Sequence, residues 1–154
     1  MPIPEFDPAT DALPAGIHEA TWPEVAARFG GNDRRNALLR GLRLALRTLA
    51  NAGCIRVYLG GSFVAAKAAP SDWDGCYEPL VGSKAADGNP GPRTPSLGKA
   101  IATGDKSRMV LLYGGEIYSA ADTTNRGDRF IDFFQIDRQL RPVGIVAIDL
   151  ATLE

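Results

Sequence analysis

The stretch from Ile55 to Asp74 constrains this chain most. Ile55-Arg56-Val57-Tyr58-Leu59 is a short apolar strand that Gly60-Gly61-Ser62 breaks. Nine residues after Ser62 come two carboxylates, Asp72 and Asp74, at the start of a second strand over Trp73–Glu78. On a strand, positions i and i+2 share a face, so the two acids point the same way. Like charges that close repel, and each raises the pKa of the other. A divalent cation removes the repulsion, and hard Mg²⁺ (or Mn²⁺) prefers carboxylate oxygens. The glycine turn offers backbone N–H groups to an anion and lets a phosphate approach the chain closely. Gly60, Gly61 and Ser62 are the candidate phosphate cradle, and Lys67, between the motifs, can add a point charge to a β- or γ-phosphate. Metal carboxylates beside a phosphate cradle suit nucleotidyl transfer. The bland alternative is turn chemistry alone, because Asp bonds its own backbone in turns and Gly-Gly-Ser is an ordinary loop.

At 154 residues the chain has the length of one domain, and its 45% apolar and 23% charged residues are those of a globular protein. The net charge of −1 creates no global field for nucleic acid. Arg34, Arg35, Arg40, Arg43 and Arg47 cluster on one predicted helix, either as a solvated face or as a surface for RNA or an acidic partner. Cys54 and Cys76 lack any second Cys or His at metal-ligand spacing and read as reduced core thiols. No apolar run approaches the ~20 residues that cross a bilayer, so no membrane partner is expected. The acidic, proline-rich start differs from a secretion signal and points to the cytoplasm.

Residues 1–16 contain four prolines and read as an extended arm preceding a single domain over 17–154. Thr21, Pro23 and Glu24 predict a helix start with a capping box, and Gly30-Gly31 its end. Asn32 or Asp33 caps a longer helix to Ala52, with Leu38, Leu39, Leu42, Leu46 and Leu49 on one stripe and Gly53 as its left-handed terminus. Phe63–Ala69 fits a helical turn or two, ended by Pro70. Residues 79–107 are loop-like, with a brief helix over Ser96–Ala102; so long a connection suggests a functional segment bordering the acceptor. Arg108–Tyr113 fits a strand or a helix end, Glu116–Ser119 a strand, Phe130–Ile136 a helix or a strand, and Val143–Leu150 a strand. The mixture predicts an α/β or α+β sandwich.

Leu59-Gly60-Gly61-Ser62 with Asp72-x-Asp74 resembles the signature of the polymerase-beta-like nucleotidyltransferase superfamily. Gly61-Ser62-Phe63-Val64 through Lys67, Pro70, Asp72 and Asp74 resembles, more narrowly, a small bacterial family within it. The similarity extends through Gly16–Trp22, Tyr113–Glu116, Phe130–Gln135 and Gly144–Leu150. The resemblance implies a minimal nucleotidyltransferase fold, a short mixed sheet flanked by helices. It implies transfer of a nucleoside monophosphate from a nucleoside triphosphate to a hydroxyl on RNA, protein or a small molecule. The acceptors or partners the resemblance implies are tRNA or a cognate toxin or antitoxin protein, since small members often belong to toxin–antitoxin or phage-defence modules.

Active members of the superfamily usually carry a third carboxylate on a neighbouring strand. Asp149 in Ala-Ile-Asp-Leu is the best match to a strand position, with Glu116 and Asp132 as rivals. Were none of them to serve, the chain would be a degenerate antitoxin or binding partner that keeps the fold without turnover. His18 is the sole histidine, which excludes a multi-histidine metal site and suits a structural hydrogen bond. Ser62 lacks the Gly-x-Ser-x-Gly elbow of a hydrolase, and Gly82–Gly104 lacks the Gly-Lys-Ser/Thr ending of a P-loop. Trp22 and the Phe133–Phe134 pair read as core aromatics.

Overall fold

The computed structural model describes residues 3–78 and 98–153. Its centre is a mixed five-stranded sheet, flanked by helices in an α+β arrangement, as the sequence predicts. The strands are β1 (Gly16–Ala20), β2 (Arg56–Gly60), β3 (Trp73–Tyr77), β4 (Gly115–Ser119) and β5 (Gly144–Asp149), in spatial order β1-β5-β2-β3-β4. β2 is antiparallel to both neighbours, β3 and β5. The outer strands pair in parallel, β1 with β5 and β4 with β3.

Period-2 alternation divides the sheet into two buried faces. Val57, Leu59, Trp73, Ile117, Val146 and Ile148 face one core, which the helices α1 (Trp22–Phe29), α2 (Asp33–Asn51), α3 (Lys99–Thr103) and α4 (Lys106–Tyr113) cover. Tyr58, Cys76, Ile145 and Ala147 face the other way, where Phe130, Ile131 and Phe134 of the short helix α5 (Phe130–Phe133) and its end pack on them. Phe133 itself is exposed, a correction to its reading as a core residue, because a one-turn helix can bury only part of its circumference.

The helix signals hold. Thr21 and Glu24 form the capping box of α1, with Pro23 in its first turn. The Asn32 side chain caps α2 by accepting from the Arg35 amide, and the leucine stripe is buried throughout. Gly53 takes a left-handed φ of 100° just beyond the helix. Over Phe63–Ala69 a single 3₁₀ turn, Gly61–Val64, replaces the longer helical segment. The segment open to either reading at Arg108–Tyr113 is the end of α4, started by Asp105, whose side chain accepts from the Arg108 amide. Most of the loop over 79–107, including Ser96, lies outside the described residues; its helix begins at Lys99. Residues 3–15 lie against the domain. Arg28 covers the Phe6 ring at 4.5 Å and donates to the Ile3 carbonyl, and Leu13 is buried.

Both cysteines are free and buried. Burial, then the nearby Glu78, pushes the Cys76 thiol up to about 12, so it packs as an inert group. His18 Nε2 donates to the Pro14 carbonyl at 2.6 Å, the structural role its sequence context suggests.

Candidate metal centre

The β2–β3 register determines the site. Gly60 pairs with Asp74 across the two strands, so the chain bends immediately beside that carboxylate. Gly61 makes the bend with φ of +72°, and a side chain there would bring its Cβ to 3.2 Å from Asp74 Oδ2. Glycine is therefore needed twice, for conformation and for space. Gly60 is fixed from the opposite side, where an added Cβ would meet Phe134 Cβ at 2.7 Å. Ser62 follows, half-buried in the 3₁₀ turn.

The parallel β3–β4 register places Glu116 directly beside Asp74. Asp72, just before β3, completes the group. One carboxylate oxygen from each of Asp72, Asp74 and Glu116 lies within 4.8 Å of the other two. Glu116 is oriented by the Tyr118 hydroxyl, two residues on along the same strand face, which donates to Oε1 at 2.8 Å. Its Oε2 lies 3.6 Å from Nζ of Lys106, whose side chain is 70% exposed. Among the described residues, three acids thus share one exposed lysine at this point.

That imbalance shows in the acid itself. The Asp74 carboxyl is pushed up to about 7, first by burial, then by Asp72 and Glu116, with Lys106 opposing. Burial and the bond to Glu116 likewise raise the Tyr118 phenol. Crowded oxygen ligands with too little positive charge fit a hard divalent cation such as Mg²⁺ or Mn²⁺. The donor set contains oxygen only, which disfavours softer metals.

The other predicted residues separate. Asp149 is corrected as the third member of this group. It ends β5 opposite Arg56, at the far end of β2 from Gly60, about 13 Å away at ~3.3 Å per residue. Its side chain caps the final 3₁₀ turn (Leu150–Thr152) by accepting from the Ala151 amide at 2.9 Å. Asp132 is exposed on α5 and pairs with Arg129 at 3.0 Å. Lys67 is exposed in the β2–β3 loop; among the described residues the cation paired with the carboxylates is Lys106, through Glu116.

Two of the arginines read as a solvated face or as a surface for RNA or an acidic partner have a different place. Arg35 is buried at 7% exposure and donates to the carbonyls of Phe29, Phe63, Ala65 and Lys67. Arg34 donates to the carbonyls of Pro70 and Ser71. A sequence signal for Arg35 exists: it continues the buried stripe of Leu38, Leu42, Leu46 and Leu49 at helical spacing, where a charge needs an internal partner. Tyr118 was findable too, two residues from Glu116 on a strand.

The fold and site together define a small α+β domain with three carboxylates converging beside a glycine bend. The chain belongs to a family of unknown function (DUF6932), which matches residues 4–149. No curated protein and no solved structure matches it.

Proposed function

We propose that this protein is a metal-dependent nucleotidyltransferase that moves a nucleoside monophosphate from a nucleoside triphosphate to a hydroxyl of RNA or protein. The observation that carries the reading is the convergence of Asp72, Asp74 and Glu116, with ligand oxygens within 4.8 Å of one another, beside the left-handed bend at Gly61. Those three carboxylates would hold Mg²⁺ or Mn²⁺, and Gly60, Gly61 and Ser62 would receive the phosphates. A bound divalent ion supplies neutralisation of the triphosphate and polarisation of the α-phosphorus.

The chain's own residues account for the rest. The acceptor oxygen bonds the α-phosphorus as the α–β bridging P–O bond breaks, and pyrophosphate leaves with the electron pair. The hydroxyl proton passes to Glu116, which Tyr118 holds in one orientation. Lys106 pairs with Glu116 and is exposed enough to turn toward a phosphate. Glu116 provides the third carboxylate whose lack would have favoured a degenerate partner.

Among the described residues no helix is long and apolar enough to cross a membrane. We place the protein in the cytoplasm, where nucleoside triphosphates and tRNA are available, with a tRNA or a cognate toxin or antitoxin protein as acceptor or partner. The test is transfer from labelled ATP, GTP, CTP and UTP with Mg²⁺ to total RNA and protein, against Asp72→Asn/Asp74→Asn. Metal-dependent label transfer by the parent alone supports the enzyme. Metal-dependent binding without transfer supports the degenerate partner, and no binding refutes both.

A further inference from the structure

The loop joining β2 to β3 links the glycine bend of the candidate site to its first carboxylate. It starts at the Gly61 bend and ends at Asp72. Apart from the first 3₁₀ turn it has little internal support. Only the Ala65 and Lys67 amides bond within it, while the Ala66 amide donates to the Asp11 carbonyl. Its side chains between Ala65 and Ser71 are short except for Lys67, which is exposed. A segment of this composition has no reason of its own to hold one shape.

The N-terminus of α2 supplies the missing order. Arg35 donates to the carbonyls of Phe63, Ala65 and Lys67, and Asn32 Nδ2 donates to Ala68 O at 2.9 Å. Arg34 Nε donates to Pro70 O at 2.9 Å, and its Nη2 donates to Ser71 O. Three side chains within four residues thus take up the carbonyls of Phe63, Ala65, Lys67, Ala68, Pro70 and Ser71. Asn32 also caps the helix by accepting from the Arg35 amide at 2.8 Å, which fixes the base of the clamp. Arg35 lies over the Phe63 ring at 5.3 Å and joins the loop to the end of α1 through the Phe29 carbonyl.

The chemistry of the partners is informative. A buried guanidinium usually finds a carboxylate; Arg35 meets backbone oxygens instead, and burial lowers its pKa. Its planar fork spreads five donors over three nitrogens and so reaches carbonyls spaced along the loop, whereas a lysine has its three donors on one atom. Carboxylates are thereby left to the site rather than consumed as counterions to the clamp.

We infer that Asn32, Arg34 and Arg35 are positioning residues for the metal centre, setting the distance between the Gly61 bend and Asp72. Arg34 is the decisive member, because its acceptors are the two residues immediately before Asp72. The inference rests on the proposed metal reading, and the experiment separates the two. Mn²⁺ is titrated into the full chain and its free concentration followed by electron paramagnetic resonance. The parent is compared with Asp72→Asn, Arg34→Ala, Arg34→Lys and Arg35→Lys, each checked for its metal-free melting temperature. Arg34 is exposed, so Arg34→Ala should fold. It is expected to weaken Mn²⁺ about tenfold to 100-fold, the range for residues that orient metal ligands, with melting little changed. Arg34→Lys, which keeps the charge but replaces two separated donor nitrogens with one, should recover part of the loss. Arg35→Lys should weaken Mn²⁺ as well, with a lower melting temperature. A parent that binds and an Arg34→Ala that binds equally well would overturn the clamp while leaving the metal centre. A parent that fails to bind, like Asp72→Asn, would overturn the metal centre and this inference with it.

Discussion

The two ends of β2 both gather acids, and they treat them in opposite ways. At the Arg56 end, a cleft of about 380 Å³ is lined by Glu19, Glu24, Arg56 and Asp149. Every acid there has a structural partner. Glu19 pairs with Arg56 at 3.2 Å, Glu24 accepts from the Thr21 amide, and Asp149 accepts from the Ala151 amide. At the Gly60 end, Asp72, Asp74 and Glu116 crowd together, and among the described residues one exposed lysine, Lys106, pairs with Glu116. A carboxylate that caps a helix or a turn is stabilised by the fold, whereas a carboxylate crowded by others is stabilised by what the fold can bind. The acids at one end hold the protein together, and those at the other repel one another, which a cation would relieve in the proposed reading.

The sharpest way to break this contrast is to remove charge at each end. Asp72→Asn/Asp74→Asn should lower nucleotidyl transfer by about 1000-fold, the scale for loss of principal electrostatic groups, while raising the metal-free melting temperature. Asp149→Asn should leave transfer unchanged. A double variant that melts lower without metal would show that the acids are not in mutual repulsion.

The two ends also differ in the sign of their pH response. Asp74 is raised to about 7 in the folded protein, so the stability tied to its protonated form is complete below the unfolded pKa and lost as pH climbs through about 7. Metal-free protein should therefore melt higher at pH 5 than at pH 8. The upper bound over that interval is about 3 kcal/mol, from roughly two pKa units between pH 5 and about 7 at ~1.36 kcal/mol each. Mg²⁺ should raise melting far more at pH 8 than at pH 5. Glu24 is lowered, chiefly by its bond from the Thr21 amide, so its contribution is present at neutral pH and lost on acidification below the usual carboxylate range. Melting curves of Asp74→Asn and Glu24→Gln across pH would assign each limb.

Smaller effects sharpen the comparison further. Tyr118→Phe removes the hydroxyl that orients Glu116 and should weaken Mn²⁺ about tenfold, with little change in melting. Thr21→Ala removes the α1 cap at the opposite end and should cost about 1 kcal/mol by urea denaturation, with Mn²⁺ affinity intact. If both variants altered Mn²⁺ binding alike, the division between structural and ligand-binding ends would fail.

Local chemistry was legible in the sequence, and long-range pairing was not. Thr21-x-x-Glu24 specifies its capping box with neighbours alone, and the α2 stripe needs only helical periodicity. Gly60-Gly61 and Asp72-x-Asp74 are legible for the same reason: they sit at the two ends of one short loop. The third carboxylate depends on which strand lies beside β3. Ile148 and Leu150 mark Asp149 as a strand residue but say nothing of which end of the sheet it occupies, and antiparallel pairing with β2 sends it to the wrong one. Glu116 reaches Asp74 only through the parallel β3–β4 register. β1 is inconspicuous because its Gly-Ile-His-Glu-Ala sequence is that of an edge strand, which needs one apolar side only. Arg35 is marked only by its place on the leucine stripe, and Arg34 resembles any exposed arginine until the loop it holds is in view.

The most direct measurement is a crystal structure of the full chain grown with Mn²⁺, using the metal's anomalous scattering. The account predicts a peak bonded to oxygens of Asp72, Asp74 and Glu116, with the Gly61 bend beside it and none at Asp149. Carboxylates splayed apart with no peak among them, or a peak held by Glu19, Glu24 and Asp149 instead, would contradict it.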